Sequence, residues 1–170
     1  MVAKMCCLRP SNDKRRRAAL LLARRSVELG KGNRFLPYHQ MALGMAEYRS
    51  GHFPEADAAL LAAMESGKNN PHIAGTSAFY RALSLFRQGK PDAARQLATQ
   101  AAAKMKPLPK DAKNPLADAK TPRAGGAADD DLILWMAYRE AKDAIKFDEK
   151  SGVGAEPETR NKAKPKDGSP

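Results

Sequence analysis

Cysteine is nearly absent from this chain of 170 residues: there are two, Cys6 and Cys7, adjacent in sequence. Neighbouring cysteines cannot staple a fold, so no disulfide framework is expected and a reducing, cytoplasmic setting fits. No run approaches the ~20 apolar residues of a membrane-spanning helix. The opening Met1 to Leu8 is too short, and too interrupted by Lys4, for a secretory signal. Histidine occurs only as His39, His52 and His72. No pair has the i, i+4 spacing of a zinc-binding helix and none neighbours a cysteine, so no metal site is expected. No nucleophile elbow surrounds any serine, and Gly125-Gly126 follows no strand that would make it a phosphate cradle. These absences lead to an expectation of no enzymatic activity and no cofactor.

What is present is charge, unevenly spread. The whole chain carries +11. Residues 1–32 hold nine Lys/Arg against two acids, a net of +7, including the run Lys14-Arg15-Arg16-Arg17. Such a helix suits either a solvated face or a patch for nucleic acid or an anionic surface. No aromatic interleaves the run as single-strand binding would prefer, so nucleic acid is not the favoured partner.

The other feature is a near-repeat. Residues 43–63 read LGMAEYRSGHFPEADAALLAA and residues 81–101 read RALSLFRQGKPDAARQLATQA. Gly51 superposes on Gly89, Tyr48 on Phe86 and Ala56 on Ala94, always 38 residues apart. Each copy is an apolar helical pattern, a glycine, then an alanine-rich helical pattern, which is a helical hairpin used twice. Proline at 37, 54, 71 and 91 suits a first helical turn, where its missing N–H costs nothing. Upstream, Ser11 is expected to cap a helix running to Leu29, with Ala19, Leu22, Ala23, Ser26 and Leu29 on its inner face.

The predicted organisation is therefore all-α. Residues 1–10 are a frayed start and 11–106 a stack of helical hairpins. Residues 107–128, with four prolines and two glycines, are a mobile loop. Residues 129–148 are a closing helix. Residues 149–170, with no aromatic and no aliphatic beyond alanine except Val153, are a disordered tail. In the closing helix Asp129-Asp130-Asp131 suit the positive end of the helix dipole. Its apolar stripe is Leu134, Ala137, Tyr138, Ala141 and Ile145, widened by Ile133 and Trp135. It is expected to cap the array by folding over the second copy's second helix, around Leu97 and Ala101.

The unit LGMAEYRSGHFPEADAALLAA resembles a tetratricopeptide repeat: Leu43-Gly44, Tyr48, Gly51, Ala56, Leu60 and Ala63 fall on that family's pattern. The second copy matches more loosely, with Ala82 for Gly44 and Ala98 for Leu60. The period of 38 exceeds the family's roughly 34. The helix at 12–29 looks like the second half of an earlier unit, giving two full units, a leading half-unit and a C-terminal cap. The segments RFLPYHQMALGMAEYRSGHFPEADAALL, FYRALSLFRQGKPDAARQL and DDLILWMAYREAKDAI also resemble the C-terminal repeat region of bacterial (planctomycete-type) serine/threonine protein kinases, a likeness that covers roughly residues 18–145. The catalytic motifs of a kinase are absent from this chain, so its activity does not carry over.

The resemblance implies a non-catalytic scaffolding module that takes a protein or peptide in its concave groove. By the family's geometry Tyr38, Met41, Met45, Tyr48 and Arg49 line that groove from the first unit, and Thr76, Phe79, Leu83, Phe86 and Arg87 from the second. Tyr48 and Phe86 suit groove and core equally. Met41 and Met45 stand where a chaperone-tail clamp would need polar groups, which argues against that ligand.

Overall fold

The computed structural model describes residues 2–105 and 129–147, and among them there are seven helices and no strand. They are α1 (Val2–Cys7), α2 (Asp13–Leu29), α3 (Leu36–Ser50), α4 (Phe53–Ser66), α5 (Pro71–Arg87), α6 (Pro91–Lys104) and α7 (Asp129–Ile145). The all-α hairpin array is thus present. The expected loop at 107–128 and tail at 149–170 lie outside the described residues.

Local chemistry sets the ends. Proline occupies the first turn of α3, α4, α5 and α6. Gly51 and Gly89 take φ of 83° and 75° between the two helices of each hairpin, a backbone that only glycine adopts without penalty. Asn70 caps α5, its side chain accepting from the backbone N–H groups of His72 and Ile73. α2 is capped by Asn12 rather than Ser11: the Asn12 side chain accepts from the Arg15 N–H at 3.0 Å.

Successive helices pack on one another in chain order, and α3 also touches α5. Gly44 is where α3 and α4 meet. A Cβ there would stand 2.3 Å from Leu60 Cγ and 3.2 Å from the Leu60 backbone nitrogen. Thirty-eight residues on, Ala82 and Ala98 are both fully buried, so a methyl gained on one helix offsets the larger side chain lost on the other. Gly44→Leu is expected to overpack the α3–α4 contact and destabilise by about 1–3 kcal/mol. Thermal melts check this; a melting temperature equal to that of the parent would show that Gly44 is not at a close contact.

Two elements depart from the sequence reading. Residues 2–7, expected to fray, form α1, which packs on α2 and α3 with Ala3, Lys4 and Cys7 buried. A helix of six residues is unstable alone. Here its terminal carbonyls find fixed donors: Arg49 Nε donates to the Cys7 oxygen at 2.8 Å, Arg49 Nη2 to the Leu8 oxygen at 3.2 Å, and the Tyr80 hydroxyl to the Cys7 oxygen at 3.3 Å.

The second departure is α7. Its expected stripe is buried throughout, but it lies chiefly along α5 and less on α6. Helix α5 offers the better surface. Leu134 fills the notch left by Gly75, where a Cβ would be 2.7 Å from Leu134 Cδ1. Phe79 meets Tyr138 edge-on at 5.6 Å between centroids and stacks on Phe147 at 6.4 Å. Lys146, at φ 57°, turns the chain so that Phe147 folds back over this cluster. Helix α6 has only alanines in its core, Ala94, Ala98 and Ala101.

Candidate functional site

The residues expected to line an open groove are mostly covered by the chain itself. Met41, Met45, Thr76, Phe79 and Leu83 are each no more than 2 % exposed. Tyr38, Tyr48, Arg49 and Phe86 are half-buried, and only Arg87 is exposed, its guanidinium 5.6 Å from the Phe53 ring centroid. The expectation that these ten residues form a partner-binding groove is corrected for the five buried ones. With α1 on α3 and α7 on α5, the first-copy and second-copy helices are already roofed. Tetratricopeptide geometry, taken from the repeat alone, leaves such helices open; here α1 covers α3 and the apolar stripe of α7 covers α5.

Arg49 ties the roof together. It reaches Glu140 of α7 through both Nη atoms, the Nη2–Oε2 distance being 2.6 Å, while its other donors hold the end of α1. Tyr80 receives Nη2 at 3.1 Å, and Tyr48 and Tyr80 meet edge-on at 5.7 Å. Burial opposes the Arg49 charge, but the Glu140 hydrogen bond and the surrounding groups outweigh it and raise its pKa. Burial likewise raises the Tyr48 and Tyr80 hydroxyls, with Glu140 adding to both and Arg49 working against. Burial also pushes the Cys7 thiol up to about 11, against the pull of Arg49. A thiol so protonated at neutral pH is a core filler and a poor nucleophile.

His52, His72, Asp130 and Asp131 lie against oppositely charged or ionisable neighbours. His52 Nδ1 lies 2.7 Å from Glu47 Oε2, and Arg24 holds the other oxygen of the same carboxylate. His72 Nδ1 is 3.4 Å from Asp131, and Asp130 pairs with Lys4 at 3.0 Å. Among the described residues no group of three or more His, Cys, Asp or Glu could hold a metal ion, and no helix is long and apolar enough to cross a membrane.

The open surface is elsewhere. Leu21 is 70 % exposed, Leu22 50 % and Leu29 71 %, and Phe35 beside them is 47 % exposed. Leu22 and Leu29 were expected on the buried face of α2; only Ala19 and Ala23 are buried there. α2 packs through its small residues, and α1 is too short to cover the rest. Between α1, α2 and α3 this leaves a cavity of about 640 Å³, lined by Leu22, Phe35, Tyr38, His39 and Ala42, with the Lys4–Asp130 pair at one end.

No family model, curated protein or solved structure matches the chain. The sequence signal for this surface was the triple Leu20-Leu21-Leu22 with Leu29: these leucines point to more than one side of a helix, and one packing face cannot absorb them all.

Proposed function

We propose that the chain is a non-catalytic protein-interaction module, a scaffold of tetratricopeptide type working in the cytoplasm. The likeness of residues 18–145 to the C-terminal region of bacterial serine/threonine protein kinases supports a place beside such a kinase, either as a detached portion of its gene or as an independent one. The observation that carries the reading is the uncovered leucine face of α2. The last hairpin of the array is closed by α7, whereas α2 presents three leucines to solvent. Stacked helical units need their end faces covered, and contiguous apolar surface of this kind marks interaction sites.

A photo-reactive phenylalanine analogue placed at position 21 is expected to trap protein adducts in cells, and the same group at the exposed Gln96 on α6 is not. No adduct at position 21, or adducts removed by nuclease, would overturn the reading. The second outcome would instead favour a basic adaptor acting on nucleic acid. Three of the α2 arginines are already engaged, Arg16 with Asp13, Arg24 with Glu47 and Arg25 with Glu28, which leaves Lys14, Arg15 and Arg17 for any such role.

A further inference from the structure

We propose that the leucine face of α2 and the adjoining cavity together seat an amphipathic helix of acidic character, contributed by a partner protein. The inference rests on the interaction-module reading and names the class of partner.

Shape comes first. Leu21 and Leu29 are eight residues apart, about 12 Å along the helix. With Ala18 and Leu22 they form one stripe of about three turns, a length that suits a short helix laid alongside. The stripe runs into the cavity at Leu22. The cavity lining includes the half-exposed Leu22 and Phe35 and the buried Lys4, whose ammonium is held by Asp130 and lies 5.8 Å from the Tyr38 ring centroid. A concavity of about 640 Å³ admits a bulky side chain such as tryptophan or leucine, the anchor by which helices seat in grooves.

Charge then selects the occupant. On the helical wheel Lys14 and Arg25 fall within the leucine stripe, Arg15 lies on one border and Arg17 on the other. All four are exposed, as are Lys31 and Arg34 beyond the helix end. The acids on this face are few: Glu28 is paired with Arg25. A second copy of this chain would bring a net of +7 against +7 over residues 1–32, which repels. A flat anionic membrane satisfies the arginines but cannot enter the cavity. Nucleic acid also satisfies them, but sets phosphates against leucine. A helix with leucines on one side and glutamates along its borders satisfies the stripe, the cavity and the charge together.

The test uses the full chain and synthetic 18-residue helices followed by fluorescence anisotropy. One has a leucine stripe, a central tryptophan and flanking glutamates; the second replaces every glutamate with lysine. Phosphatidylglycerol-containing vesicles and a 20-base-pair duplex complete the set of probes. The glutamate helix is expected to bind at least about tenfold more tightly than the lysine helix, with the preference shrinking as salt rises. Leu21→Asp with Leu29→Asp should lose that binding at an unchanged helical content, as should Phe35→Ser. Arg15→Glu with Arg17→Glu should shift the preference toward the lysine helix. Failure of the glutamate helix to bind, or equal binding by the Leu21/Leu29 variant, overturns the proposal. If either occurs while position 21 still traps proteins in cells, the interaction-module reading survives without this partner class. Binding of vesicles or duplex in place of both helices, with no protein trapped, removes the two together.

Discussion

A chain ending at residue 128 is expected to aggregate, or to bind an apolar dye strongly, under conditions where the full chain stays folded and dispersed. Helix α7 and the residues after it bury Ile133, Leu134, Trp135, Tyr138, Ile145 and Phe147, each 6 % exposed or less. At roughly 1.5–3 kcal/mol per large apolar side chain, their burial contributes on the order of 10 kcal/mol. That is comparable to the entire ~5–15 kcal/mol stability of an ordinary domain. Truncation would also uncover Phe79 and the notch at Gly75 on α5, so the remaining array would expose an apolar face as well as lose support. Removal of residues 149–170 alone is the control, since that stretch has almost nothing apolar in its composition. Light scattering and thermal melts on both truncations decide the matter. Equal solubility and equal melting temperatures would show that α7 does not hold the array together.

The second large effect is expected at Arg49. Arg49→Met keeps much of the aliphatic stem but removes the donors that serve Glu140, the Cys7 and Leu8 carbonyls and the Tyr80 hydroxyl. Breaking a buried ion pair by removing one partner typically destabilises by about 3–5 kcal/mol. The lower end applies here, because Glu140 keeps 28 % of its side chain in contact with water. Arg49→Lys should not rescue the loss: one ammonium cannot present the planar fork that reaches both oxygens of Glu140 and two chain carbonyls at once. Adding Glu140→Leu to Arg49→Met should restore part of the stability, since no carboxylate is then left without its cation. Denaturant melts of the four proteins check this. Near-parental stability of Arg49→Met would mean that α1 and α7 are held by apolar packing alone.

Much of this architecture can be read from the chain because its boundaries are written in residues with few conformational choices. Pro37, Pro54, Pro71 and Pro91 open helices, Gly51 and Gly89 turn them, and the 38-residue offset pairs Gly44 with Ala82 across the two hairpins. The α7 stripe was equally legible, every expected residue being buried. The partner of α7 was not. Helical periodicity tells that a face is apolar but not which surface it meets, and the choice of α5 depended on a notch at Gly75 that only the folded array displays. The inner face of α2 was misassigned for a related reason. Leu22 and Leu29 are more hydrophobic than Ala19 and Ala23, yet the close approach of α2 to its neighbours favours the smaller pair. Arg49 was singled out as a groove residue when its role is to bind the chain's own ends. A solvent-facing arginine and a buried one bonded to distant backbone look alike in sequence.

The bonds that join the ends also change how the molecule must fold. In an open stack of helical hairpins each unit touches only its neighbours, so the terminal units fray first and stability grades along the array. Here Lys4 meets Asp130 across 126 positions of sequence, Arg49 meets Glu140 across 91, and Tyr80 meets Cys7 across 73. These contacts close the line into a loop, so neither end can open without breaking bonds made by the other. Melting is therefore expected as one concerted transition of a globule in place of the graded melting of a solenoid. The protein also takes on a slower search, because the two ends of the chain must find each other before either is secure.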